Sequence, residues 1–177
     1  MFFIYSLIYI LLLPLLILRD LLTLDKNKLK TIQQKLGFNI PNVKNQTIWL
    51  HGVSLGEIKI LSPLAKKLSN QGQNILITST TNTGLEELNK NFSNSDIKIL
   101  PFPYDLEFAH KKIIINFKVN KIILFESEFW PNLLNAAKNL NVVSLNSTIS
   151  DTSFKRFKML KVFSKTLFSK IDLFLAQ

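Results

Sequence analysis

From Thr47 onward the sequence alternates between short apolar runs and longer helical patterns. The runs cover 47–52, 74–79, 96–100, 121–126, 141–146 and 172–176, and the helical patterns cover 57–69, 83–92, 106–117, 129–139 and 152–169. Strands separated by helices of this length call for a parallel sheet with right-handed crossovers. The expected fold class is therefore α/β, a Rossmann-like parallel sheet. Pro63 falls inside the first of these helices, where it removes one intrahelical donor and should kink it. No Gly-x-Gly-x-x-Gly follows the first strand, and Gly52-x-x-x-Gly56 is not that fingerprint, so no dinucleotide site is expected here.

In such sheets ligands sit outside the carboxyl ends of the strands. The first strand ends in His51-Gly52-Val53-Ser54-Leu55-Gly56-Glu57, a small-residue turn that delivers Glu57 to the first turn of a helix. A Glu there complements the helix dipole, or serves as a general base if a second constellation joins it. The fourth strand supplies one, in Phe125-Glu126-Ser127-Glu128-Phe129-Trp130-Pro131-Asn132. If the strand ran on to these positions, Glu126 and Glu128 would share a face. They would meet Glu57 if the first and fourth strands are neighbours. After the second strand, the hydroxyls of Thr78 to Thr83 could hold an anion, or Asn82 or Thr83 could simply cap the next helix. Pro101-Phe102-Pro103-Tyr104-Asp105 is expected to form a rigid turn with a cap, and His110 to lie at the surface.

Met1 to Leu18 carries no charge. As a helix this run is about 27 Å long, close to the hydrocarbon thickness of a bilayer. It lacks the basic start and small-residue cleavage site of a signal peptide. We read residues 1–24 as a membrane anchor and 25–46 as a connector holding one short helix. Lysines follow the run and none precedes it, which places the remainder in the cytoplasm. Pro14 also suits a kinked or shallow monotopic insertion.

The net charge of +10 points to an anionic partner, such as a lipid surface or a phosphorylated ligand. Nucleic acid is not expected, because no zinc-finger or RNA-recognition signature is present. With no Cys and two His, disulfides, thiolate chemistry and a His-rich metal site are excluded. Near the end, Phe154, Phe157, Leu160, Phe163 and Leu167 form one helical stripe. Lys155, Arg156, Lys158, Lys161, Lys165 and Lys170 occupy the other faces and could turn toward anionic lipid.

Four motifs together resemble a known family. His51-Gly52-Val53-Ser54-Leu55-Gly56-Glu57, Thr81-Asn82-Thr83-Gly84, Pro103-Tyr104-Asp105 and Glu126-Ser127-Glu128-Phe129-Trp130-Pro131-Asn132 occur in the order and spacing of 3-deoxy-D-manno-octulosonic acid (Kdo) transferases. The resemblance covers the N-terminal half of that family. It implies a GT-B glycosyltransferase with two Rossmann-like domains, of which residues 47–177 would be the acceptor-side domain. It implies transfer of Kdo from CMP-Kdo to the lipid A precursor, in lipopolysaccharide biosynthesis, at the cytoplasmic face of the cell inner membrane. No cofactor and no metal are implied, since CMP-Kdo is a donor substrate bound mainly by the second domain.

Carried over by position, Glu57 matches the catalytic base and Glu126 a carboxylate assigned to transition-state stabilisation. Ser54 and Gly56 match positions that shape the acceptor side. Asn146-Ser147-Thr148-Ile149-Ser150 departs from the family pattern, because Thr148 stands where an Arg is usual. The sequence ends at Gln177, before the family's CMP-binding domain, so a separately encoded second domain is an expected partner. The alternative reading is a non-catalytic remnant or a membrane-surface lipid-binding module.

Overall fold

The computed structural model describes residues 2–23 and 27–176. The expected anchor–connector boundary, between residues 24 and 25, lies outside them. Helix α1 (Phe2–Thr23) is followed by α2 (Lys28–Lys35). Then come β1 (Thr47–Gly52), α3 (Leu55–Asn70), β2 (Asn74–Ser79), α4 (Asn82–Phe92) and β3 (Lys98–Pro101). The second half runs α5 (Glu107–Asn116), β4 (Val119–Phe125), α6 (Pro131–Ala136), β5 (Asn141–Ser147), α7 (Asp151–Met159), α8 (Lys161–Phe168) and β6 (Leu173–Ala176). The sheet has six strands in the order β3-β2-β1-β4-β5-β6, and every pairing is parallel. This is the doubly wound α/β fold that the sequence predicts, with β1 and β4 adjacent at the point where the strand order reverses.

The strand period of two divides the core between the faces. Ile48 and Leu50 of β1, with Ile123 and Phe125 of β4, pack among Ile58, Leu61 and Ala65 of α3 and Leu88 and Phe92 of α4. Trp49 of β1, with Ile122 and Leu124 of β4, faces Ile113 of α5, Leu133 and Leu134 of α6 and Leu167 of α8. His51 follows Trp49 on that second face, fully buried. Gly52 closes β1 where α3 comes near, since a Cβ there would stand 2.9 Å from Leu61 Cδ1.

Four expectations are corrected. β4 ends at Phe125, so Glu126 lies past the strand; its φ is +59°, and the shared-face argument for Glu126 and Glu128 does not apply. The helix expected over 129–139 begins only at Pro131. A proline disfavours helical geometry in the residue before it, which leaves Phe129 and Trp130 outside the helix. The helix expected over 152–169 breaks at Leu160 (φ −98°, ψ 42°), where the Ser164 hydroxyl donates to the carbonyls of Phe157 (2.8 Å) and Leu160 (3.1 Å). Its apolar stripe is therefore only partly packed, with Leu167 buried but Phe154 and Leu160 exposed. The cap of α4 is Thr81 rather than Asn82 or Thr83, its hydroxyl accepting from the Gly84 N–H at 3.2 Å.

His110 is also corrected, because it is buried rather than on the surface. Its Nε2 lies 2.8 Å from Asp105 Oδ1. Asp105 is the polar centre of this side of the molecule. Pro131 has no N–H, so the first turn of α6 presents those of Asn132 and Leu133, and Asp105 accepts both, at 3.1 and 3.0 Å. The Tyr5 hydroxyl of α1 donates to the same carboxylate at 2.9 Å. The cap anticipated in the Pro101–Asp105 turn thus serves a helix far along the chain, while α5 itself has no side-chain cap.

Helix α1 lies along the domain and is held at several points. Ser6 donates to Asn132 Oδ1 at 2.7 Å, Phe2 packs on Phe163, and Tyr9, Leu13, Leu16 and Ile17 cover Tyr104, Leu106 and Ala109. At its far end the buried Asp20 takes Lys35 Nζ at 2.7 Å and the Tyr104 hydroxyl at 2.8 Å. Removing a buried carboxylate strands its donors without water, which costs several kcal/mol. Asp105→Ala is therefore expected to lower unfolding free energy by about 3–5 kcal/mol. Urea denaturation in detergent, compared with the parent chain, measures it.

Candidate functional site

The edge outside β1 and β4 is built from two turns. The first is a capping box. Ser54 is the N-cap of α3, and its hydroxyl accepts from the Glu57 N–H at 3.3 Å. The Glu57 carboxylate reaches back over the same turn. Its Oε2 accepts from the Val53 N–H at 2.8 Å, and its Oε1 from the Ser54 N–H at 3.2 Å and the Ser54 hydroxyl at 2.8 Å. This fixes the carboxylate at the strand's end. Each carboxylate oxygen has about two acceptor positions, so Oε2 keeps one for a further partner. A Cβ on Gly56 would project into open space, its nearest neighbour Ser54 Oγ at 3.8 Å, so packing does not demand glycine there.

The second turn follows β4. The Glu126 N–H still donates to Leu145 O of β5 at 2.8 Å, but its left-handed φ of +59° swings the chain away from the strand direction. That conformation is uncommon for a residue with a side chain and stores strain. Asn146 on neighbouring β5 is also left-handed, at φ +57°, beside a register shift in the β5–β6 pairing. Ser127 donates its hydroxyl to the Thr148 carbonyl, which seats the Thr148 position against this turn.

The sequence brings Glu128 to this edge with Glu126, but it does not pair Glu128 with the Trp130 indole or place His51 in the site. Glu128 accepts from the Trp130 indole N–H at 2.7 Å, and its Oε2 lies 3.9 Å from His51 Nε2. Burial pushes its carboxyl up to about 7, the Trp130 hydrogen bond opposes that rise, and the charges of Glu57 and Glu126 add to it. His51 is stacked on Phe102 at 3.7 Å, with Nδ1 3.0 Å from the Thr78 hydroxyl and Nε2 buried without a partner. Burial pulls its pKa down to about 3, although the Thr78 backbone carbonyl works the other way, so the ring is neutral near pH 7. The available signals were the step of two from Trp49 to His51, which puts both on one face, and an indole two residues after Glu128.

Three carboxyl groups therefore share one strand-end edge, backed by a neutral imidazole. Beside them a cleft of about 160 Å³ is lined by Tyr9, Leu16 and Arg19 of α1, with Thr80, Phe102 and Trp130. Among the described residues no group of three or more His, Asp or Glu side chains could hold a metal ion.

A doubly wound α/β domain with its charged groups gathered at the switch point is the class defined by this fold and edge. Residues 30–177 match the family described as 3-Deoxy-D-manno-octulosonic-acid transferase (kdotransferase), and the chain belongs to that family of glycosyltransferases. It is 37% identical over 158 residues to a bifunctional glycosyltransferase/methyltransferase of Fusobacterium nucleatum, covering 86% of this chain and 25% of the relative. To the 3-deoxy-D-manno-octulosonic acid transferase of Chlamydia pneumoniae it is 30% identical, covering 84% of this chain and 35% of the relative. To that of Haemophilus influenzae it is 34% identical, covering 75% and 32%. The chain thus spans between 25% and 35% of the length of these relatives.

The strain at Glu126 gives a test of its own. Glycine adopts a left-handed φ without steric cost. Glu126→Gly is expected to leave the unfolding free energy unchanged or raise it by up to about 1 kcal/mol. Glu126→Ala should give no gain. Paired urea titrations separate the two.

Proposed function

We propose that this chain is the acceptor-side part of a Kdo transferase, which moves Kdo from CMP-Kdo to the lipid A precursor. The observation that carries this reading is the adjacency of β1 and β4, which sets the Glu57 and Glu126 turns side by side in a member of this family. Glu57 is the base. Its free acceptor position on Oε2 takes the proton of the acceptor's sugar hydroxyl as that oxygen attacks the anomeric carbon, and CMP departs with the bonding electrons. Glu126 stabilises the positive charge that develops at the sugar as the bond to CMP breaks. Ser54 holds Glu57 in place, and the open space over Gly56 admits the acceptor. CMP-Kdo is held mainly by a second domain, so residues 47–177 contribute the acceptor side.

Glu57→Gln tests this in protein expressed from its complete reading frame. Gln can still serve a capping box but offers one acceptor oxygen instead of two, at a cost in stability of about 1 kcal/mol. Kdo transfer to a lipid A precursor should fall about 10² to 10⁴-fold. Near-parental transfer would return Glu57 to a purely structural cap.

The same reading places the chain at the cytoplasmic face of the inner membrane, with residues 1–24, which include α1, as the anchor. Helix α1 is long and apolar enough to cross a bilayer. Yet contacts from Phe2 to Asp20 tie one side of it to the domain, while Phe3, Leu7, Leu11, Leu15, Leu18 and Leu22 are exposed on the other. A helix held along its length by a folded domain suits insertion in one leaflet, with the exposed side in lipid. The bases and exposed apolar groups of α7 and α8, among them Lys155, Lys158, Met159, Lys161 and Val162, would meet the same surface. The protein should sediment with membranes and remain there in salt on the order of 1 M, where exposed charges are screened within about 3 Å. Release by salt alone would leave electrostatic attachment only.

A further inference from the structure

Glu57 and Glu126 do not account for every polar group at the strand-end edge. Glu128 is mostly buried, with its side chain 20% exposed. One of its oxygens, Oε2, is turned inward to the Trp130 N–H at 2.7 Å and toward His51 Nε2 at 3.9 Å. The other, Oε1, makes no hydrogen bond among the described residues. His51 cannot leave, because it is stacked on Phe102 and tied through Nδ1 to Thr78. Behind Glu128 there is thus a fixed wall of ring nitrogens, and in front of it an oxygen without a partner.

We propose that Glu128 is a further ligand-contacting residue, which presents a carboxylic O–H from Oε1 to the carboxylate of a sugar acid bound between β1 and β4. The proposal rests on the Kdo-transfer reading for the identity of the sugar acid.

The electrostatics of the edge favour such a device, although Arg19 and Lys35 line the neighbouring cleft. Glu57 faces Glu128 from α3, Glu126 from the turn after β4, and His51 from β1. His51 carries no charge near pH 7, and no Lys or Arg is paired with Glu128 among the described residues. An anionic sugar entering beside three ionised carboxylates would be repelled. A proton on Glu128, whose burial is answered by a single donor, removes one charge and turns repulsion into an O–H···O⁻ bond, which is short and about twice as strong as a neutral one. Two carboxyls in unlike surroundings can divide the work of acid and base. Here Glu57, fixed by three donors, is the base, and Glu128, with one donor and two carboxylate neighbours, is the acid. Its raised pKa of about 7 gives the sign. The protonated form dominates below that pH and is lost as pH rises through it.

The test combines a direct titration with kinetics. Carbon-13 NMR of the Glu128 carboxyl in this chain should show a midpoint near pH 7 rather than the ordinary value near about 4.3. With protein from the complete reading frame, the KM for CMP-Kdo should rise about tenfold per pH unit above that midpoint. Glu128→Gln keeps an N–H donor and no titration, so its KM should stay low and flat with pH. Glu128→Leu should show a high KM at every pH, with less effect on kcat. An ordinary titration midpoint, or a parental KM and pH profile in Glu128→Leu, overturns the inference. If that happens while Glu57→Gln still abolishes transfer, the transferase reading stands and only the role of Glu128 falls. If the parent enzyme transfers no Kdo, both fall together.

Discussion

The pairing of β1 with β4 is the constraint on which the rest depends. Their register runs from Ile48 opposite Lys121 to His51 opposite Leu124, so the two strands end level with one another. The segments leaving the two strands are then forced into one place. After β1 a capping box folds Glu57 back over the turn, and after β4 a left-handed residue throws the chain sideways. Because β1 and β4 mark the reversal of strand order, their crossovers leave on opposite faces of the sheet, and the gap between them stays open to a ligand. The strain at Glu126 follows from the same geometry. The turn must leave the strand at once, yet its N–H remains in the ladder to β5.

Much of this was legible because it depends on local pattern. Apolar runs and helical spacing placed all six strands within a few residues, and β1 and β2 at their observed bounds. The glycine turn and the position of Glu57 followed from the same rules. What escaped were features set by distant partners. His110 looks like a surface residue until α5 is laid against Trp49, Phe102 and Asp105. Asp105 looks like a local cap, but besides His110 of α5 its partners come from α1 and α6. The break at Leu160 interrupts an unbroken apolar stripe. The role of Glu128 depends on an imidazole 77 positions earlier in the chain, from residue 51 to residue 128, which no spacing rule connects.

The polar contacts of α1 make the domain and the apolar helix one packing problem. A helix meant only to sit in lipid has no use for a buried Asp20, nor for hydroxyls at Tyr5 and Ser6 that reach Asp105 and Asn132. Lys35 and Tyr104 pair with Asp20, Asp105 accepts from the Tyr5 hydroxyl, and Asn132 accepts from the Ser6 hydroxyl, which also bonds Phe2 O inside the helix. Of its two sides, then, one is matched to protein and one is apolar throughout. Its sequence thus reads as a membrane segment although Tyr9, Leu13, Leu16 and Ile17 pack on the domain.

The distance in sequence between those partners has a consequence for synthesis. Tyr5 bonds a residue 100 positions later and Ser6 one 126 positions later. At about 5–20 residues per second, Asn132 is added about 6–25 s after Ser6. During that interval the inward side of α1 has no protein to meet, and lipid is the only medium suited to its outward side. On the proposed membrane-bound reading, the domain would then assemble against a helix already lodged in the bilayer, with the membrane serving as the surface on which the fold is completed.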